Sequence, residues 1–216
     1  MNHMRYNTEN WCSLGINEHY MGMMEMLLWV WNNVKKDIPR VKWRAIEIGA
    51  YMGESTQILA SSGLFRGGIH CIDPWAGDPV WDKEEDPTMH WGVVRDEFEY
   101  NTRHFHENGF CRIMPIRGES SKTASKFDDD SIDFVYIDGD HSYESTKHAV
   151  TYFANSLADE AVLVFDDANW KGVVEGALDG IEAAGLELVY DKKMLNSVED
   201  STMWWNGLLI AVVKKK

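Results

Sequence analysis

The chain has 216 residues, 44% of them hydrophobic, enough for one large domain with a substantial core. A formal charge of −14 repels phosphate backbones and anionic lipid, which argues against nucleic acid and membrane partners, and there is no apolar run of roughly 18 residues to span a bilayer. Three scattered cysteines, Cys12, Cys71 and Cys111, odd in number and without a CxxC spacing, argue against a disulfide framework and a cysteine zinc site.

Residues 1–16 show no strong period and read as an arm. Asn2, His3, Arg5, Asn7 and Glu9 do not form the basic and then apolar pattern of a signal peptide, so a reducing cytoplasm is the expected compartment. A helix is expected over 17–36, with Met21, Met24, Leu28, Trp31 and Val34 at helical spacing and Lys35 and Lys36 at its end. Met23, Met26, Leu27 and Val30 make it apolar on a second side, so cover on more than one side is expected. Residues 1–40 are taken as part of the same domain as 41–216.

Beyond Pro39 the pattern becomes strand, loop, helix, repeated. Strands are expected at 44–48, 68–72, 112–116, 132–137, 161–165, 186–190 and 208–213, and helices at 54–62, 91–107, 120–126, 143–155 and 173–184. This alternation predicts an α/β fold with a seven-stranded, mostly parallel, Rossmann-like sheet, because parallel strands need crossover helices. The last two strands have no helix between them and should form an antiparallel hairpin. Residues 74–90 interrupt this regularity with Pro74, Pro79 and Pro87 spacing Trp75 and Trp81, and read as a lid. Of ten tryptophans, Trp75, Trp81, Trp91, Trp170, Trp204 and Trp205 fall in loop-like stretches, where packing beneath a loop is the common use.

Two motifs suggest a nucleoside-bearing ligand. In "AIEIGAYMGEST", residues 45–56, a strand runs into Gly49, Gly53 follows, and a helix opens at Glu54. Such glycines let a ligand approach the backbone, and the helix start leaves N–H groups facing the crevice, although a tight turn with nothing bound uses the same residues. Glu47, between Ile46 and Ile48 on a central strand, is costly unless something polar meets it. Asp73 in "IHCIDPW" ends the next strand 24 residues after Gly49. An acid there accepts ribose hydroxyls in dinucleotide sites, and an Asp before Pro also simply shapes a turn. "GAYMGE" lacks the GxGxxG of those dinucleotide sites.

"EIGAYMG", the strand-end acid Asp73, seven strands and the terminal hairpin together resemble class I S-adenosylmethionine-dependent methyltransferases, over about residues 41–213. The resemblance implies S-adenosylmethionine as cofactor, with Glu47, Gly49, Tyr51 and Gly53 around its methionine part and Asp73 on its ribose. It puts Glu119 or Ser120, in "RGESS", near the adenine, and Asp138 at the cofactor edge.

A third constellation joins "VYIDGD" to "LVFDDANW". If the fourth and fifth strands lie side by side, Asp138, Asp166 and Asp167 converge at the C-terminal edge of the sheet. Three carboxylates repel one another, and a hard divalent cation, Mg²⁺ above all, removes that conflict; strand-end aspartates also cap helices. The spacings of 28 and 29 residues resemble those of cation-dependent O-methyltransferases, and the consecutive aspartates with "YIDGDHSYEST" resemble their macrocin-type sugar enzymes. The resemblance implies Asp138, Asp166 and Asp167 as metal ligands, Asp140 as general base, and a small hydroxylated acceptor such as a sugar or glycoside. His141 is the second choice of base, with a cofactor contact or a helix cap as its other uses. A cation lowers the pKa of an acceptor hydroxyl and a nearby base removes its proton.

Asp128, Asp129 and Asp130 read as a solvated turn, His104 and His106 as surface residues, and Cys71 and Cys111 as small core residues. Ser142, followed by Glu144, is the expected helix start. Two rival functions stand beside methyl transfer: a glycosyltransferase using Asp138-Gly139-Asp140 as an Asp-x-Asp motif, and a non-catalytic binding module. Association with a second copy of the chain is left open.

Overall fold

A computed structural model describes residues 16–35, 42–76, 91–109, 111–195 and 207–216. The expected arm, Cys12, most of the expected lid (77–90), Trp81, Trp204 and Trp205 lie outside the described residues. Chain order is α1 (Ile16–Val30), β1 (Arg44–Ile48), α2 (Glu54–Ser61), β2 (Gly68–Asp73), α3 (Trp91–Glu107), β3 (Ile113–Arg117), α4 (Ser120–Thr123), β4 (Ile132–Ile137), α5 (Tyr143–Phe153), β5 (Leu157–Phe165), α6 (Lys171–Ala183), β6 (Leu186–Met194) and β7 (Leu208–Lys215).

The seven strands form one sheet in the order β3-β2-β1-β4-β5-β7-β6. Strands β1 to β5 run parallel, and β7 lies antiparallel between β5 and β6. The expected Rossmann-like sheet and terminal hairpin are both present. The strand order reverses direction at β1 and β4, and in open α/β sheets ligands bind outside the carboxyl ends of strands at such a switch.

Alternation along each strand sorts side chains to two cores. Ala45, Cys71, Phe134, Tyr136 and Val164 face α1, α2 and α3, whereas Ile46, Ile48, Val135, Ile137 and Leu163 face α5 and α6. Glu47 falls between Ala45 and the α2 start, so its carboxyl is directed into the first of these layers.

The first helix departs from expectation. Met23, Met26, Leu27 and Val30 enter the core together with Val34 from the other stripe, while Met24, Leu28 and Trp31 are exposed, so the core takes one apolar stripe of the helix and leaves the middle of the other bare. The stripes lie one residue apart, and only docking on the sheet selects between them. The α-helical part ends at Val30 and continues as a π turn, Trp31–Lys35. Trp29 stacks on Tyr190 of β6 at 5.3 Å, which fixes α1 against the sheet edge. Among the described residues no helix is long and apolar enough to cross a membrane.

Candidate active site

The turn after β1 is dictated by backbone crowding. Gly49 has φ +88°, and its N–H donates to the Ile72 carbonyl at 2.9 Å. A Cβ there would stand 1.8 Å from the carbonyl oxygen of Asp138, so glycine is what lets the ends of β1 and β4 approach. Tyr51, also at positive φ, follows in the turn, and Gly53 (φ +83°) precedes α2.

Glu47 is fully buried beneath that turn. The Ser55 hydroxyl donates to its Oε1 at 2.5 Å and the Thr56 hydroxyl to its Oε2. The polar company expected for this acid is therefore the first turn of α2, two hydroxyls that sequence reasoning passed over. Their signal was visible as "EST" directly after Gly53. Burial pushes the carboxyl up to about 7, against the pull of the Ser55 and Thr56 hydroxyls and Cys71.

Asp73, at the end of β2, accepts the Tyr51 N–H on Oδ2 at 2.9 Å and the Trp75 N–H on Oδ1 at 2.6 Å. It thus organises two loops, and each oxygen keeps lone-pair capacity for a further donor. Burial raises its pKa while the two backbone N–H groups lower it. Trp75 is buried against Phe98, and its ring N–H donates to the Tyr51 carbonyl at 2.8 Å, so this loop tryptophan is a core residue that pins the first turn. Glu119 is exposed and paired with Lys122 at 2.8 Å, and Ser120 begins α4 just after β3, whose end lies beside Asp73.

On the other side of Gly49, the ladder runs from strand to strand at the ends of β1, β4 and β5. The Asp138 N–H donates to Ile48 and the Asp166 N–H to Ile137, each at 2.9 Å, so the expected convergence of Asp138, Asp166 and Asp167 at one edge is present. Their side chains then diverge. Asp166 accepts the hydroxyl of the buried Tyr136 on Oδ2 and the Asp167 N–H on Oδ1 at 2.8 Å. Asp167, at φ +56°, reaches His141, with Oδ2 and Nδ1 2.9 Å apart. His141 packs edge-on against Trp170 at 5.1 Å. Asp138, His141 and Asp167 each offer a ligand atom within 4.8 Å of the others. Asp166 and Asp140 fall outside that trio.

Asp140 is exposed and faces its own helix: Oδ1 accepts the Ser142 N–H at 2.9 Å and Oδ2 the Ser142 hydroxyl at 3.2 Å. Ser142 in turn accepts the Ser145 N–H at 3.2 Å, confirming it as the α5 N-cap. The Asp-x-Asp expected by the glycosyltransferase reading is thus split, Asp138 facing Asp167 and His141 while Asp140 braces a turn. Asp128, Asp129, Asp130, His104 and His106 are exposed as expected, with Asp130 paired to Lys215, and Cys71 and Cys111 are buried free thiols.

Five acids, Glu47, Asp73, Asp138, Asp166 and Asp167, thus line adjoining strand ends. Burial raises the Asp138 carboxyl well above its ordinary range, and the charges of Asp166, Asp167, Glu47 and Asp73 raise it further. For His141, burial lowers the pKa, but the hydrogen bond and charge of Asp167, with Asp166 and Asp140, raise it overall. Acids crowded and buried in this way hold protons that a positively charged group would displace, which suits both a divalent cation between Asp138 and Asp167 and a sulfonium cofactor beside Gly49 and Asp73.

Residues 46–168 match the sequence family described as the methyltransferase domain. No curated protein matches the chain. Among solved structures, TYW2 from M. jannaschii in complex with AdoMet superimposes with a TM-score of 0.54 at 13% identity, covering 90% of this chain and 77% of that one. A Staphylococcus aureus protein assigned, without established activity, as a caffeoyl-CoA O-methyltransferase gives 0.58 at 14%, covering 95% and 90%. A Leishmania major SAM-dependent methyltransferase gives 0.61 at 9%, covering 96% and 77%. At these identities the likeness is one of fold. Matched by the family over more than half its length, the chain belongs to the methyltransferase-domain family and has the class I S-adenosylmethionine-dependent methyltransferase fold.

Proposed function

We propose that the protein transfers a methyl group from S-adenosylmethionine to a hydroxyl of a small acceptor, with a divalent cation, Mg²⁺ in the simplest case, held at Asp138 and Asp167. The observation that carries this reading is the meeting of Asp138, Asp167 and His141 within 4.8 Å at the switch-point edge, beside the Gly49 turn and Asp73. A cation in such a place lowers the pKa of an acceptor hydroxyl, and the cofactor supplies the electrophilic methyl group.

The chain's own residues then have separable tasks. Asp73 has acceptor capacity for ribose hydroxyls, and the Gly49–Gly53 turn leaves room for the cofactor along the backbone. Asp138 stands between the two ligands, sharing backbone contact with the Gly49 turn and side-chain proximity with Asp167. The hydroxyl proton passes to one of the two groups of the 140–141 turn, Asp140 or His141. Trp170, partly exposed against His141, offers an aromatic face of the kind that packs against the apolar face of a sugar ring, which supports the macrocin-type sugar or glycoside acceptor.

Calorimetric titration of the chelator-treated protein with S-adenosylmethionine tests the first half. Micromolar binding is expected, and absence of heat at millimolar cofactor sinks the methyltransferase reading. Turnover of a panel of hydroxylated acceptors, with and without added Mg²⁺ or Mn²⁺, tests the second half. Methylation unaffected by chelator removes the cation mechanism while leaving the cofactor reading intact. In either assay Asp167→Asn should retain cofactor binding and lose cation-dependent turnover.

A further inference from the structure

We propose that His141 is the third protein ligand of the cation, in the place expected for Asp166, and that the site therefore favours a transition metal, Co²⁺ more than Mn²⁺, over Mg²⁺. This rests on the cation-dependent reading above and names the metal class and donor set of that site.

Three observations converge. The first is spacing: atoms bound to one ion at about 2.1 Å lie about 3 Å apart when adjacent and about 4.2 Å apart when opposite. The Asp138, His141 and Asp167 donors all lie within 4.8 Å of one another, and His141 Nδ1 and Asp167 Oδ2, hydrogen-bonded at 2.9 Å in the ion-free chain, already stand at the separation of adjacent ligands, so that a cation would replace the proton they share.

The second is the engagement of Asp166. Its Oδ2 accepts the Tyr136 hydroxyl and its Oδ1 the N–H of Asp167, so it braces the left-handed residue that carries a ligand. Asp166 is thereby a positioning residue: it holds Asp167 at φ +56° and adds negative charge behind the site.

The third is the setting of the imidazole. His141 is held from one side by Asp167 and from another by a T-shaped contact with Trp170, so its ring is oriented without a ligand present. An oriented imidazole with two carboxylates is a mixed nitrogen and oxygen donor set. Mg²⁺ prefers oxygen donors and retains its water, whereas imidazole suits the later divalent metals. With His141 as ligand, the proton of the acceptor hydroxyl falls to Asp140, which is exposed on the same turn.

The test uses the chelator-treated full chain, with Co²⁺ and Mn²⁺ as probes, and reads binding rather than turnover. Isothermal titration should show Co²⁺ binding more tightly than Mn²⁺, and at least about tenfold more tightly than Mg²⁺. Electron spin-echo modulation of the Mn²⁺ complex should show coupling to a directly bound ¹⁴N, lost in His141→Gln and retained in Asp166→Asn. Since the wild-type spectrum is decisive by itself, the proposal stays testable even if a variant fails to fold. Bound Mn²⁺ without nitrogen coupling, or equal affinity for Co²⁺ and Mg²⁺, overturns the imidazole ligand and leaves the cation mechanism standing. No binding of Mn²⁺, Co²⁺ or Mg²⁺ at millimolar concentration overturns both.

Discussion

Replacing Glu47 by Gln should make the protein more stable at neutral and alkaline pH, although it removes a charged hydrogen-bond acceptor. Glu47 has no exposed surface, and burial moves its carboxyl from the ordinary 4.5 to about 7 in the fold. Ionising it in the folded state is therefore costlier than in the unfolded chain by about 3 kcal/mol. Below pH 4.5 the group is protonated in both states and contributes nothing to the pH dependence. Between 4.5 and 7 the folded state keeps a proton that the unfolded chain has released, so stability falls as pH rises; above 7 the penalty is complete and constant. Gln is neutral throughout, and the Ser55 and Thr56 hydroxyls can rotate to meet an amide. Urea unfolding of both proteins from pH 4.5 to 8.5, without cofactor and with chelator, measures the difference. Asp73 and Asp138 titrate in both proteins; because the charge of Glu47 also raises Asp138, its removal lowers that carboxyl in the variant and moves the difference in the same direction. The expected result is a difference that moves by about 3 kcal/mol in favour of Glu47→Gln across this window. A difference that is flat with pH, or that moves the other way, refutes the assignment of Glu47 as a strained, desolvated acid.

Gly49→Ala should lower stability by about 2–4 kcal/mol, since it adds a left-handed penalty to a 1.8 Å collision with the Asp138 carbonyl. Because relief of that collision moves Asp138, the same variant should weaken Mn²⁺ binding; denaturant midpoints and calorimetry read the two effects. Ser142→Ala removes the α5 cap and should cost about 1 kcal/mol by urea unfolding, while loosening the brace on Asp140. Tyr136→Phe removes a buried hydroxyl from Asp166 and should cost about 1–3 kcal/mol, with weaker Mn²⁺ binding as Asp167 loses support; unchanged cation affinity would deny Asp166 its positioning role.

Much of the fold was legible because it is written in contiguous residues. The strands β1 and β4 and the helix α3 occur over the residues expected for them, and the other elements shift by a residue or a few at their ends. β5 begins earlier, at Leu157, and β6 and β7 run on to Met194 and Lys215, because pairing between the strands extends them past the hydrophobic run that announces each one. The helices expected over 120–126 and 143–155 each finish as a 3₁₀ turn, where the chain tightens into the following segment. The choice of apolar stripe on α1 was not legible, since Met23 and Met24 are equally hydrophobic and only the docked sheet distinguishes them.

In the candidate site the same division holds residue by residue. Strand-end position and spacing by themselves determined that Asp73, Asp138, Asp166 and Asp167 gather on one edge, because each closely follows the last paired residue of a parallel strand in the same register. Side-chain direction was decided by tertiary contacts between residues far apart in the chain. Glu47 meets Ser55 and Thr56 only when α2 packs back over β1, whereas the turn of Asp140 to Ser142, two residues on, is local. Asp166 turns to Tyr136, 30 residues away, because β4 and β5 lie side by side, and His141 meets Asp167 across the same pair of strands. Periodicity and turn chemistry are properties of neighbouring residues and so belong to the sequence alone. The donors available to a cation depend on which oxygen each carboxyl has left after its long-range hydrogen bonds are made, and that was settled only in the packed structure.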